Sequence, residues 1–302
     1  MEGVRELPPL LLSDIEETIS SCLAGEEIDL RLAGEGMDSV AWIAAKEWIF
    51  RFPKFGDVSD NLDKEVRLLP RISSVAAIAV PQFEHVGKVK GRTFVGYRML
   101  KGEPLLPLDF ASFVTPLQNK VYDQLSSFLD GLHSIEPKLA KEARVLESST
   151  RREYERELTD ARKYVFPHLQ KGEIRQIEKW CAEYFAEEGN FEYEPRLLHA
   201  DLSCEHLLYC RRKEELVGII DWGDLIITDP AYEFMFLYEE YGYEFVTNIV
   251  ERSKKDWGSN LGKKLEFWFR FNWVIDVLIH HRRKRFGEKE KALIYLKKML
   301  AR

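Results

Sequence analysis

The chain has 302 residues, 45% of them hydrophobic and 12% aromatic, which supports a substantial core and excludes a disordered chain. That length exceeds the usual single-domain size, so one large domain or two coupled ones are expected. With 44 Lys+Arg against 51 Asp+Glu the formal net charge is −7, a poor basis for binding nucleic acid and a fair one for binding a cation.

Residues 1–100 read as strand-rich. Asp29-Leu30-Arg31-Leu32 alternates, and Gly34-Glu35-Gly36-Met37-Asp38-Ser39 makes a glycine turn. Val40–Ile43 and Trp48–Phe52 predict a hairpin turning at Ala45-Lys46-Glu47, and Pro53 stops its second strand. Leu62, Val66, Leu69 and Ile72 fall at helical spacing, with Pro70 expected to kink or end that helix. Thr93–Leu100 predicts another strand, broken by Lys101-Gly102-Glu103-Pro104, where a domain boundary is expected. Beyond it the chain turns helical. Thr115, Pro116 and Gln118 together read as a capped helix start, followed by an apolar stripe of Leu117, Val121, Leu125, Phe128 and Leu132. Residues 151–187 are helical, 196–227 strand-like, and the chain is helical again from Tyr232 to its end. Strands first and helices later give an α+β chain in two lobes, 1–100 and 101–302.

Cys22, Cys181, Cys204 and Cys210 form no CxxC pair, so reduced thiols in a cytoplasmic protein are expected. The run Leu10-Leu11-Leu12 is too short for a signal core, and no stretch is long and apolar enough to predict a membrane helix.

The chemistry concentrates in two blocks, Leu197-Leu198-His199-Ala200-Asp201 through His206, and Gly218-Ile219-Ile220-Asp221-Trp222-Gly223-Asp224. Phosphoryl transfer needs a carboxylate to orient the attacking hydroxyl, ligands for Mg²⁺ and a cation on the phosphates. Asp201 is the candidate base, and His206 and Asp221 are candidate metal ligands. A lone loop aspartate is more often a turn residue. Asp221, however, closes a buried apolar run, where an unpaired carboxylate is costly. A histidine is an unusual ligand for Mg²⁺, which prefers oxygen; its plainer reading is a core histidine bonded to a carbonyl. His199 reads as structural, packing beneath Asp201. Arg51 must face away from Phe50 and Phe52, and Glu65 on the following helix is its candidate partner over the phosphates. A surface arginine and a surface glutamate would give the same spacing. Gly34 and Gly36, with Ser39, could cover phosphates through backbone N–H groups.

Together these residues resemble the kinase-like small-molecule phosphotransferases, most closely the aminoglycoside 2''-phosphotransferases. The resemblance covers most of the chain, and also includes Ile49-Phe50-Arg51-Phe52-Pro53-Lys54, Leu132-His133-Ser134-Ile135 and Thr228-Asp229-Pro230. It implies a protein-kinase-like fold, with an antiparallel sheet lobe for the nucleotide and a larger helical lobe for catalysis and the acceptor. The family base falls on Asp201 and its metal positions on His206 and Asp221, where histidine is an accepted variant at the first. GTP or ATP, with Mg²⁺, would hang from backbone near Arg98 and Leu100, behind Tyr97, whose ring favours GTP. Two departures stand out. The family's phosphate cation is usually lysine where this chain has Arg51, and the acidic segment after Asp229-Pro230 is short, keeping Glu233, Glu239, Glu240 and Glu244.

The resemblance implies a small, cationic acceptor, with aminoglycosides leading and Asp224, Glu233, Glu239 and Glu240 facing it as a negative wall. A macrolide or an amino-sugar metabolite is the alternative, the former if Trp222, Tyr232, Phe236 and Trp273 line an apolar cleft. A nucleotide-binding pseudoenzyme is a further reading, supported by Arg51 and His206. A nucleic-acid patch at His280–Arg285 is disfavoured by the negative overall charge. No nucleic-acid or membrane partner is expected, and a monomer is.

Overall fold

A computed structural model describes residues 8–23, 28–36, 39–54 and 56–301, residues 56–60 by backbone alone. Met37 and Asp38 of the glycine turn lie outside the described residues. In chain order the elements are α1 (Leu12–Cys22), β1 (Arg31–Glu35), β2 (Ser39–Ala44), β3 (Trp48–Pro53), α2 (Gly56–Ser73), β4 (Phe83–Val89), β5 (Arg92–Arg98), β6 (Glu103–Pro104), α3 (Pro107–Ala111), α4 (Thr115–Leu132) and α5 (Pro137–Glu142). There follow α6 (Thr150–Tyr164), α7 (Lys171–Ala186), β7 (Arg196–Leu198), β8 (Leu207–Cys210), β9 (Glu215–Ile219), β10 (Ile226–Thr228), α8 (Met235–Tyr241), α9 (Tyr243–Val250), α10 (Leu261–Arg282) and α11 (Phe286–Leu300). The chain packs as two units, Met1–Val145 with Ser203–Leu225, and Leu146–Leu202 with Ile226–Arg302.

In the first unit the described strands β1-β2-β3-β5-β4 form an antiparallel sheet in that order. The hairpin predicted over 40–52 forms, with Ala45 and Lys46 at φ of 50° and 60°. Two residues of positive φ match the right-handed twist of the flanking strands. Lys90 and Gly91 do the same between β4 and β5. On β3 the side chains of Trp48, Phe50 and Phe52 are buried, in a core with Ile15 and Ile19 of α1 and Phe94 of β5. Arg51 points to the other face, as pleating requires.

At Pro70 one of the two expected outcomes is excluded, and the start of α4 differs from expectation. Pro70 does not end α2, which runs on to Ser73. Burial of Leu68, Leu69 and Ile72 on either side of it holds the last turn despite the missing N–H. Thr115 is not a capping residue but the first residue of α4; Val114 is the cap, and its carbonyl accepts from the N–H groups of Leu117 and Gln118. The Gln118 side chain reaches Phe110 O at 3.4 Å rather than closing a capping box. The predicted stripe otherwise holds, with Val121, Leu125, Phe128 and Leu132 fully buried.

Near its end α4 comes against the loop after α2. A Cβ on Gly131 would stand 2.3 Å from the carbonyl oxygen of Val75. Gly131→Ala is therefore expected to cost about 1–3 kcal/mol by forcing a backbone shift. Gly172→Ala on α7, where a Cβ meets nothing within 4 Å, is the control and should be neutral or stabilising by about 0.5–1 kcal/mol. Thermal unfolding of both variants tests this; equal midpoints would show that the close approach is absent.

β6-β8-β9 completes the first unit as a small antiparallel sheet. In the second unit β7 pairs antiparallel with β10, Leu197 opposite Ile227, and α6 to α11 supply the helical remainder. Segment 151–187, expected as one helical stretch, is α6 and α7 with a 3₁₀ turn at Phe166–His168 between them.

Candidate active site

The β8–β9 hairpin brings two of the predicted residues together. His206 immediately precedes β8, Asp221 follows β9, and the Ile220 N–H donates to the His206 carbonyl at 3.1 Å. Their side chains face each other, with His206 Nε2 3.6 Å from Asp221 Oδ2. His206 Nδ1 lies 3.1 Å from Ser203 Oγ, which fixes the ring. Asp221 has φ of 63°, in the left-handed region, a conformation costing about 1–3 kcal/mol in most residues though least in Asn and Asp.

Arg51 joins this pair. Its Nη1 lies 2.9 Å from Glu65 Oε2 and its Nη2 3.0 Å from Asp221 Oδ1. Glu65 is 1% exposed and the Arg51 side chain 11%, so the expected Arg51–Glu65 pair exists and is buried rather than superficial. Burial opposes the charge on Arg51, and Glu65 and Asp221 more than offset it, raising its pKa. Burial also pushes Glu65 up, with Asp221 and Asp224 adding and Arg51 opposing. Tyr97, buried and facing the same cation, has its phenol pushed up to about 12 by burial.

Among the described residues no group of three or more His, Cys, Asp or Glu gathers as a metal cage. Of the two donors, the Asp221 carboxylate suits a divalent ion that keeps several waters and takes phosphate oxygens, as Mg²⁺ does, while the His206 nitrogen is the weaker partner for it.

The glycine turn is described in part. Gly36 N–H donates to Ser39 O at 3.0 Å, and Gly34 lies in β1 beside a bulge. Lys54, to which the sequence assigns no role of its own, ties this turn down, with Nζ 2.8 Å from Gly36 O and 2.8 Å from Glu35 Oε1. Arg98 ends β5; its side chain bonds Glu47 at 2.7 Å and lies over the Trp48 ring at 4.1 Å. The Met99 N–H is taken by Glu47 O at 2.7 Å, and Leu100 packs by Gly218.

In the second unit, β7 leads into the loop that bears Asp201. Ala200 sits at φ of 66°. The Asp201 N–H donates to His199 Nδ1 at 3.2 Å, so the fully buried His199 does pack the loop beneath Asp201. Glu233 holds the same loop: its Oε2 accepts from the His199 N–H at 3.0 Å and its Oε1 from the Ala200 N–H at 3.1 Å. Glu233 sits in a 3₁₀ turn, Pro230–Phe234, capped by Asp229, whose Oδ1 accepts from Ala231 N–H at 3.0 Å. Asp229 is paired at 2.8 Å with Lys264 of α10, both fully buried. Burial raises the Asp229 pKa and Lys264 opposes it.

Two expectations about the acceptor side are corrected. Glu233 is not an open acid on a negative wall; it is buried, with both carboxylate oxygens occupied by loop N–H groups. Trp222 lines no cleft, because it is fully buried against Phe128, with Nε1 donating to Ile219 O at 3.1 Å. Tyr232 packs on Trp268. Trp273 is half-buried and, with Trp180, Phe269 and Tyr295, lines a cavity of about 680 Å³. Asp224 is exposed in the first unit. Glu239 and Glu240, on α8, have a neighbour that the sequence did not single out, Asp276 on α10. Desolvation raises the pKa of Glu239, with Glu240 and Asp276 adding to it, and desolvation also raises that of Asp276. In the basic run His280–Arg285, Arg282 bonds Glu157 and Asp160 at 2.7 Å and His281 stacks on Tyr164, so the Arg282 charge is paired within the second unit.

Residues 29–268 match the profile of the phosphotransferase enzyme family, APH. The chain is 27% identical to the GDP complex of wild-type aminoglycoside 2'-phosphotransferase-IIIa, covering 95% of this chain and 97% of that one at a TM-score of 0.88. It is 26% identical to the GDP and kanamycin complex of APH(2")-IIia, covering 95% and 98% at 0.87. A macrolide 2'-phosphotransferase, MphH from Brachybacterium faecium, shares the fold at 19% identity, covering 94% and 98% at 0.75.

Proposed function

The chain belongs to the phosphotransferase enzyme family APH, and on that premise we propose that it moves the γ-phosphoryl group of GTP or ATP to a hydroxyl of an aminoglycoside-like, polycationic acceptor. The observation that carries this reading is the set of contacts His206–Asp221–Arg51–Glu65. It joins a metal-competent pair to a buried, correctly oriented cation, the equipment phosphoryl transfer uses. Residues 1–100 would hold the nucleotide, with Gly34, Gly36 and Ser39 over its phosphates and the base behind Tyr97 against Arg98 and Leu100. Residues 101–302 would supply catalysis and the acceptor site.

His206 and Asp221 would hold Mg²⁺, which when bound neutralises charge on the transferred and leaving phosphate oxygens. Arg51, aimed by Glu65, binds the phosphates through a fixed guanidinium fork. Asp201 accepts the proton of the acceptor hydroxyl, its loop held by His199 and Glu233. GTP is the preferred donor in this reading: Tyr97 would stand at the base pocket, where its ring favours GTP, and the similar structures at 26% and 27% identity are GDP complexes. Free thiols at all four cysteines suit a reducing cytoplasm, and no described helix is long and apolar enough to cross a membrane.

Asp224, Glu239, Glu240 and Asp276 would receive the acceptor's ammonium groups. The raised pKa values of Glu239 and Asp276 give this a pH signature. A carboxyl with a raised pKa is neutral at a pH where an ordinary one is already ionised. KM for a polycationic acceptor should thus fall as pH rises from the ordinary carboxylate range toward neutrality, while KM for a neutral acceptor stays flat. Steady-state kinetics across that range with kanamycin test this. A pH-independent KM would remove these acids from the site and favour an apolar, macrolide-type acceptor in the cavity of Trp180, Phe269, Trp273 and Tyr295.

A further inference from the structure

Both arms of the Arg51 guanidinium are in use, one on Glu65 at 2.9 Å and the other on Asp221 at 3.0 Å. A lysine ammonium is a point charge on a flexible stem, and lacks the planar fork that serves two carboxylates at once. The two acids differ in freedom: Glu65 is 1% exposed and Asp221 48%. Arg51 is therefore anchored from behind by a buried carboxylate and presents its second arm to the carboxylate proposed for the metal. The other Asp221 oxygen looks toward His206 Nε2 at 3.6 Å.

While the Arg51–Asp221 contact holds, Asp221 already carries a cation on one oxygen. A divalent ion arriving alone meets a fixed positive charge and two protein donors, one of them a nitrogen that Mg²⁺ takes reluctantly. A nucleoside triphosphate brings anionic oxygens that can satisfy both the ion and the guanidinium. We infer that Arg51 makes metal binding conditional on nucleotide: the Arg51–Asp221 contact disfavours the free ion, and the triphosphate releases it. This rests on the phosphotransferase reading and adds to it an order of loading. The role belongs to arginine at this position, since only its fork spans Glu65 and Asp221.

Mn²⁺, followed by the loss of its free-ion electron paramagnetic resonance signal, is the probe, with and without a non-hydrolysable GTP analogue. Nucleotide alone would strengthen Mn²⁺ binding by donating phosphate oxygens, so the diagnostic quantity is the nucleotide-free affinity. Arg51→Gln should raise it about tenfold, within the usual range of couplings between sites, while weakening binding of the analogue. Arg51→Lys, which can keep Glu65 paired, should fall between Gln and wild type. The double variant Arg51→Gln/Glu65→Gln, which leaves no buried carboxylate unpaired, should repeat the Arg51→Gln result and guards against misfolding. Nucleotide-free Mn²⁺ affinity unchanged in all three variants, with analogue binding to wild type intact, would overturn the coupling alone. A wild type that binds neither Mn²⁺ nor analogue would overturn the phosphotransferase reading together with it.

Discussion

Asp201→Ala should lower phosphoryl transfer by about 10²–10⁴-fold, the usual cost of removing a positioned general base. Thermal stability and nucleotide affinity should be nearly unchanged. The loop that bears Asp201 is fixed without its carboxyl: the His199 and Ala200 N–H groups bind Glu233, and the Asp201 N–H binds His199 Nδ1. These backbone contacts survive truncation of the side chain, so the variant should fold with its loop in place. A loss of that size corresponds to about 3–5 kcal/mol of transition-state stabilisation, far more than a solvated loop aspartate contributes to anything. Turnover within a few-fold of wild type would remove Asp201 from the chemistry.

Lys264→Met should be among the most destabilising single changes in the second unit, at about 3–5 kcal/mol, because it leaves a buried, uncompensated carboxylate at Asp229. Both partners are fully buried and 2.8 Å apart. Asp229 also caps the 3₁₀ turn that carries Glu233, so the damage should reach the Asp201 loop and lower kcat in whatever protein remains folded. Lys264→Met/Asp229→Asn should recover most of the stability, since the double variant leaves no charge behind and an asparagine oxygen can still accept from Ala231 N–H. Denaturant unfolding of the single and double variants measures this. A single variant within about 1 kcal/mol of wild type would contradict the picture, since that is the range of exposed pairs rather than buried ones.

What was legible in the sequence is what local pattern controls. Alternation on β3 sets Arg51 opposite Phe50 and Phe52, and the apolar runs around β8 and β9 place His206 and Asp221 at the two ends of one hairpin. Helical spacing over α2 brings Glu65 within reach of Arg51. Less legible was anything whose partner is distant in sequence. Glu233 reads as one more surface acid because a single 3₁₀ turn has too few residues to show a buried face. Its partners are backbone N–H groups at the end of β7, which no side-chain pattern announces. Trp222 reads in the sequence as a wall of an apolar cleft; its place in the core rests on Phe128 of α4. Lys54, Asp276 and Lys264 gave no local signal; each is defined by what a second element brings to it. α1 has no distinct signal because its apolar positions follow the short Leu10–Leu12 run, and β4 has none because its alternation is half glycine and charge. Pro70 shows packing overriding a boundary rule, with Leu68, Leu69 and Ile72 buried around it; Val114 and Thr115 are exposed, so the one-residue shift at the start of α4 has no buried turn behind it.

The most direct measurement is transfer itself. The protein is incubated with γ-³²P-GTP or γ-³²P-ATP and, in turn, kanamycin, a macrolide and a neutral amino-sugar derivative, and the label is followed into product. The account predicts label on kanamycin, dependent on Mg²⁺, faster with GTP and abolished by Asp201→Ala. Label on the macrolide alone would contradict the cationic acceptor, and no label on any of them while nucleotide binds normally would favour a nucleotide-binding protein without phosphotransferase activity on these classes.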